Sequence, residues 1–561
     1  MKYRFLLLTL TTLLVANPAA QAYDFSASAT SSHTLYFNII DSANHYVALT
    51  YPDENSNYIT GDLVVPATVQ HDGQTWTVRS VGHAAFINCP GMTSCVLPET
   101  VVGIGRYNAF GSCHNMTSIT LPASLKSIDQ YAFYQCDALQ EVHYTGTIEQ
   151  WCKIKFINWN SNPLEQAHTL IINGDTVRDL VLPEGLDTIR YWAFKGCNLR
   201  SVSFPHSIRY ISYHAFEMCD SLTTVYFNAD STITNGYAGE AIFVGCPMLT
   251  HFVFGDHLTR IPSFLVLGVT SIESIQLPAS LRTIDDYAFA NCHNLRHVDF
   301  VHTQLQSIGR NAFSATALES VVLPRSCTHI GASAFQCNDS LRYVCIMADS
   351  LYWGGGIFWR CPNIDTMRMF TSTPPDLSIS FEIEIPATTH LIVPCGAAST
   401  YADNILYHWY YITDVEEMPA VAVMVEAAEG GSAMVLSNPT CDDLTAEIEA
   451  VADSGWHFIH WSDGDTNAHR TLAVGTDDII LTAHFASDSP APGPGTEGID
   501  DIDIKSASIS IIDRRIIVSG TSLPVKIYDI MGRSVQNNSS LQPGIYLVRI
   551  GETAARKLVV F

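Results

Sequence analysis

The sequence predicts a mainly β repeat protein: a solenoid of short coils, then a small β domain and a C-terminal β-sandwich. Three observations carry this. A phrase close to Ile-x-x-x-Ala-Phe-x-x-Cys-x-x-Leu-x-x-Val-x-Leu returns about every 23 residues, most clearly from Ile128 to Tyr144 and from Ile284 to Phe300. Its phenylalanines are Phe86, Phe110, Phe133, Phe194, Phe216, Phe243, Phe264, Phe289, Phe313, Phe335 and Phe358, and all but one of the gaps between them run from 21 to 27 residues. Within each copy Leu-x-x-Val-x-Leu alternates as a strand with one side against a core does. The two residues after its leading apolar position are never aliphatic between Met92 and Met369, which predicts a solvated strand face. A unit this short cannot bury its own apolar side, so it is stable only when stacked on its neighbours.

The elements follow in order. In residues 1–22, Lys2 and Arg4 precede an apolar run from Phe5 to Val15, and Ala20-Gln21-Ala22 offers a cleavage site, the pattern of a secretory signal peptide. No later run reaches the roughly 18 apolar residues that a spanning helix needs, so no membrane span is expected in the mature chain. Residues 23–62 are expected to cap the first coil. Residues 63–417 form the solenoid with its C-terminal cap, which ends in the aromatic cluster Tyr407, Trp409, Tyr410 and Tyr411; exposed solenoid ends must be covered. Ile-x-x-x-Ala-Phe reads as a tight bend or short helical turn, and prolines such as Pro98, Pro122 and Pro324 end the strands. The long gap from Phe133 to Phe194 reads as an elaborated repeat pair. Short β-type runs around a Gly430-Gly431 turn predict a small β domain over 418–486. Residues 487–500 are a Pro/Gly linker, and 501–561 read as strands again, with turns at Gly532-Arg533 and Pro543-Gly544.

Charge and cysteine narrow the function. With 29 Lys plus Arg against 55 Asp plus Glu the formal charge is −26, which repels nucleic acid and anionic lipid. Among the 15 cysteines, Cys89, Cys113, Cys136, Cys197, Cys219, Cys246, Cys292 and Cys361 each sit three residues after a phrase phenylalanine. They are expected to form an inward ladder of small buried thiols rather than disulfides. No Cys-x-x-Cys occurs, and neither a metal nor a cofactor is expected.

The phrase, with Leu-Pro after the strand, resembles the BspA-like leucine-rich repeats of bacterial surface proteins over roughly residues 60–417. That resemblance implies a leucine-rich-repeat solenoid and adhesion or ligand capture on the strand-lined face. Phe264 and Phe313 lack the cysteine and Cys337 sits one place early, so those coils are degenerate. Gly430-Gly431, Gly455-Trp456-His457-Phe458, Trp461-Ser462-Asp463-Gly464, Arg470 and Thr482-Ala483-His484-Phe485 resemble the internalin B-repeat-like module, a stalk or spacer. Val525 to Arg533, Leu541 to Arg549 and Lys557 to Phe561 resemble the C-terminal sorting domain of type IX secretion in Gram-negative bacteria. Gly532, Arg533, Pro543, Gly544 and Lys557 carry that signal, and the outer-membrane type IX machinery is the implied partner.

Catalytic signatures are missing. There is no Gly-x-Ser-x-Gly, no His-Glu-x-x-His and no phosphate-cradling Gly-x-x-x-x-Gly-Lys. Asp463-Gly464-Asp465 opens like a calcium loop, but Ala468 and Val474 stand where that loop needs glycine and a bidentate acid. What remains is the strand face, whose third exposed position varies from coil to coil and includes His143, Ser203, Tyr226, Asp299, Cys345 and Arg368. A mosaic of this kind suits a protein or glycan. His143, Tyr226, Arg296, Asp299, Arg342, Tyr343 and Arg368 are the candidate contacts, because aromatics and arginine dominate interface energetics. The expected function is non-enzymatic binding at a cell surface or outside the cell. The alternatives are a structural or interaction element of the cell envelope and, disfavoured, a secreted hydrolase.

Overall fold

The computed structural model describes residues 23–29, 33–52, 59–105, 107–229, 232–235, 241–375, 385–403, 412 and 414–488, together with backbone strands between 508 and 560. The signal-peptide segment, the Tyr407–Tyr411 cluster, most of the Pro/Gly linker, and Gly532, Arg533 and Pro543 lie outside the described residues. The chain forms two compact units, residues 1–175 and 176–561.

Each coil contributes two short strands. Leu-x-x-Val-x-Leu supplies one, and the residues ending in the phrase isoleucine supply a second of two or three residues, so parallel sheets line two sides of the coil. The corner after the second strand holds no helix. It turns instead through two left-handed residues, one two places before the buried phenylalanine and one two places after it. Tyr131, Trp192, His214 and Tyr287 take the first position; Gln135, Gly196, Met218, Gly245 and Asn291 take the second. Paired left-handed residues reverse the chain within a few positions, which a helical turn cannot do.

Inside the corner the phenylalanine rings stack. Phe110 and Phe133 lie 5.2 Å apart at 2°, Phe194 and Phe216 5.2 Å apart at 11°, and Phe313 and Phe335 5.5 Å apart at 8°. The cysteine ladder is buried, and its thiols have a defined task. Cys113, Cys136, Cys219, Cys246, Cys292 and Cys361 each donate to the carbonyl oxygen of the core residue in the preceding coil, at 3.1 to 3.2 Å.

That hydrogen bond corrects the reading of one coil and explains another. Cys292 donates to Val266 and not to Phe264, so Val266 fills the phenylalanine position while Phe264 stacks outside against Tyr287 at 5.2 Å. The period becomes more even, 23 residues on each side of Val266 between Phe243 and Phe289. With Cys337 one place early, Asn338 occupies the cysteine position, and its Nδ2 donates to the Phe313 carbonyl at 2.9 Å.

In the 1–175 unit, the strands Phe25–Ser28, Thr34–Asp41 and Tyr46–Thr50 form an antiparallel meander whose last strand runs parallel to Gln74–Val81. Leu35, Phe37, Val47 and Leu49 are fully buried, so this segment closes the first coil with its own core. In the long gap, Lys155–Phe156 and Thr169–Ile172 extend the two sheets beside Ser127–Ile128 and Glu141–Tyr144. The turn between Glu141–Tyr144 and Lys155–Phe156 holds the helix Ile148–Cys152, capped by Thr147 through a reciprocal box with Gln150, and the corner after Lys155–Phe156 holds the short helix Leu164–Ala167.

In the 176–561 unit two glycines of Gly354-Gly355-Gly356 have separate reasons. A Cβ on Gly354 would lie 2.4 Å from the Ala332 nitrogen, and Gly356 sits at φ 70°. The strand His390–Pro394 runs parallel to Thr366–Met369, and Val415–Met418 runs parallel to His390–Pro394, carrying the strand-face sheet into the cap. Glu417 accepts hydrogen bonds from the Gly396 and Ala398 amides ahead of the helix Ala398–Ala402.

The small β domain has two three-stranded sheets. Val423–Ala427, Ile479–Ser487 and Trp456–Trp461 make one; Gly431–Ser437, Thr445–Ala452 and His469–Ala473 make the other. Trp461, Ile448, Ala483 and Phe485 lie in the core between them. The C-terminal segment contains antiparallel strands in a two-stranded and a four-stranded sheet, the latter with Val525–Asp529 between Ser534–Val535 and Gly544–Ile550.

Candidate functional site

The strand-face sheets put the alternating polar residues in register. In the 176–561 unit Ser203 lies opposite Tyr226, and Tyr226 opposite Val253. At the two positions after each leading apolar residue, from Thr93-Ser94 to Asp365-Thr366, no residue is buried. Arginines there pair laterally between coils. Arg200 Nε donates to Asp179 at 2.9 Å, Arg296 Nη1 lies 3.1 Å from Glu319, and Arg342 Nη1 lies 3.3 Å from Asp365. The Arg296 and Arg342 pairs are exposed on both partners, contribute little to stability, on the order of 0 to 1 kcal/mol each, and stay open to exchange with a partner's charges.

His143, in the 1–175 unit, sits on the strand Glu141–Tyr144 with Nε2 2.9 Å from the Glu141 carboxylate. In the 176–561 unit Tyr226 is half-buried, and burial with the nearby Asp179 charge raises its phenol above the ordinary value. Asp299 is exposed and accepts from the Val301 amide at 2.9 Å. Tyr343 is about one-third exposed, and burial chiefly raises its phenol above the ordinary value.

The third strand position departs from the sequence expectation at three places. Ser203 is sunk between its register partners Val181 and Tyr226. Cys345 and Arg368 are covered: Arg368 is only 9% exposed, and its Nη2 donates to the Pro419 and Val421 carbonyls at 3.1 and 2.9 Å. Arg368 is therefore not an open contact. The cover is the entry to the small β domain, whose Ala422 packs into a buried cluster with Cys345, Met347 and Phe370.

Arg325, which carries no sequence signal beyond its place after Pro324, organises that junction. Its Nε and Nη2 hold both oxygens of Asp478 at 2.7 and 3.0 Å, Nη2 reaches the Ala420 carbonyl at 2.6 Å, and Nη1 reaches Asp349 at 2.8 Å. Such a fork matches a carboxylate in two bonds at once. The module read from sequence as a stalk is thus seated on the last coils. Cys395 of the cap and Cys441 of the small domain also form a disulfide, with Cα atoms 5.8 Å apart; both lie outside the cysteine ladder.

Two metal-like patterns are accounted for by side-chain pairing. At the calcium-like loop, Arg470 places Nη2 2.5 Å from Asp463 and Nη1 2.9 Å from Asp465, where a cation would sit. Asp299, His302 and Glu426 have donor atoms within 4.8 Å of one another. There His302 bridges the two acids, Nδ1 to Asp299 at 2.9 Å and Nε2 to Glu426 at 3.4 Å.

Residues 75–170, 171–267 and 236–365 match the family described as "BspA type Leucine rich repeat region", just over half of the 561-residue chain. The chain belongs to the BspA-type leucine-rich repeat family. Residues 421–489 of this repeat protein match the divergent InlB B-repeat domain. Among solved structures, it is similar to a leucine-rich repeat protein from Bacteroides ovatus, with 22% identity and TM-score 0.36, covering 72% of this chain and 85% of that one. A leucine rich cell surface protein from Faecalibacterium prausnitzii shares 18% identity at TM-score 0.36, over 70% of this chain and 94% of its own. The pneumococcal vaccine antigen PcpA shares 16% at TM-score 0.32, over 71% and 98%. No curated protein matches this leucine-rich repeat chain. Among its described residues no helix is long and apolar enough to cross a membrane.

Proposed function

We propose that this leucine-rich repeat protein is exported and binds a protein or glycan, without catalysis, through the strand-lined face of its coils. The observation that carries the reading is the unburied polar strand surface, kept through every copy from Thr93 to Thr366 although each coil's interior is apolar. A solvated side repeated this way is not needed for stacking, and its mosaic of arginine, histidine and tyrosine suits macromolecular recognition. Membership of the BspA-type family supports surface display. The signal-peptide pattern and the sorting-domain resemblance of residues 501–561 support passage through the inner membrane and then the type IX machinery.

One experiment tests both halves. Cells producing the full chain, a chain without residues 501–561, or Tyr226→Ala with Arg342→Ala are compared for surface exposure and for adhesion to a panel of immobilised matrix proteins, glycans and envelope components. The full chain is expected at the surface and bound; the tail-less chain stays within the envelope; the double variant reaches the surface and binds ~tenfold more weakly. Surface display without the tail would refute the sorting assignment, and unchanged adhesion of the double variant would refute the face assignment. Adhesion confined to envelope components would favour the structural alternative.

A further inference from the structure

One end of the strand face in the 176–561 unit already has an occupant. The segment from Pro419 to Ala422 crosses the last coils, held by the Arg368 and Arg325 contacts to its carbonyls and by the Arg325–Asp478 pair. Asp478 also accepts from the Ala422 amide at 2.8 Å, so one carboxylate ties the domain's entry strand to the arginine that seats it. The apolar part of the contact is small, Ala422 with Cys345, Met347 and Phe370, flanked by half-buried Val322 and Met424. An interface held mainly by arginine, carbonyl and carboxylate groups at its rim opens at lower cost than a coil core.

The disulfide adds what those contacts lack. Cys395 and Cys441 close a 46-residue separation between cap and domain, and both are exposed. The other described cysteines are free, and all but Cys337 are buried. A cross-link restricts how far two segments can separate, whichever contacts break first.

We propose that the small β domain is a removable lid on this end of the strand face, latched by the Cys395–Cys441 disulfide. A dithiol reductant supplies the opening step: the S–S bond takes two electrons, the two sulfurs take up two protons to become thiols, and the dithiol closes to its own disulfide. With the latch open, the domain swings off and uncovers Cys345, Met347 and Phe370 while freeing Arg325 and Arg368. That patch, apolar with two cations, joins the open strand face beside Tyr343. The full binding surface is therefore larger in the reduced protein than in the oxidised one.

Cys345 reports the opening directly, and no partner is required. Burial pushes its thiol up to about 11, partly offset by Arg368 and Tyr343, so under the closed lid it is both covered and protonated. The full chain is treated with a thiol-alkylating reagent under native conditions, oxidised and after dithiothreitol, and the modified sites are mapped by peptide mass. The Cys395→Ser/Cys441→Ser variant is run beside it. Cys345 is expected to react ~tenfold faster once the latch is open, while Cys292 in the coil core stays unreacted. Cys345 remaining as slow after Cys395 and Cys441 have themselves reacted would overturn the lid. Parallel reaction of Cys292 would do so too, because the whole coil would then be unfolding. If the serine variant does not fold, reduced wild type alone decides. Since labelling needs no ligand, failure here is distinct from failure of the binding assignment.

Discussion

At the scale of single residues, the coil rests on backbone conformations that its sequence only partly favours. Met218 takes φ 56° and is 51% exposed, and the neighbouring coils place Gly196 and Gly245 at the same left-handed position. Left-handed backbone costs a residue with a Cβ roughly 1 to 2 kcal/mol, partly offset in glycine by its larger loss of chain entropy. Met218→Gly is therefore expected to hold or raise stability by up to ~1 kcal/mol. Met218→Ile, β-branched, is expected to lower it by ~1 to 2 kcal/mol. Urea unfolding of both variants checks this, and an isoleucine variant as stable as wild type would contradict it. The repeat made the buried phenylalanines and thiols legible, because their spacing is the period itself. It did not show that most ladder thiols donate to a carbonyl one coil back, which is why Val266 was missed as the core residue until that bond identified it.

At the scale of elements, the cap couples strand pairing to protonation. His390, on the strand His390–Pro394, stands 3.0 Å from Asp414 and 2.9 Å from Glu416. Burial opposes its charge, but the two carboxylates outweigh burial and raise its pKa above the ordinary value. A raised folded-state pKa means the added stability is complete below the unfolded value near ~6.5 and is lost as pH climbs through the folded one. Wild type is accordingly expected to lose more thermal stability between pH 6 and pH 8 than His390→Gln, with parallel slopes contradicting the pairing. Strands and the small β domain were legible from alternation and from the points where the repeat stops. Seating of the small domain was not, because Arg325 and Asp478 stand 153 residues apart and neither belongs to a pattern.

At the scale of the whole molecule, the chain joins family coils to a B-repeat-like domain, and the two together decide which strand surface meets solvent. Alternation marks out a polar strand face, yet alternation alone cannot tell open from covered. Tyr343 and Arg368 sit on adjacent paired strands, Tyr343–Ile346 and Thr366–Met369, yet the entry to the small β domain covers Arg368 while Tyr343 stays partly exposed.

Hydroxyl-radical footprinting of the protein with and without its bound partner tests the central claim most directly. Protection is predicted at Tyr226, His251 and His297 on the strand face, with Met218, Met248 and Tyr352 on the other sides of the coils modified as before. Protection of Met218, Met248 and Tyr352 with the strand-face residues unchanged would contradict it.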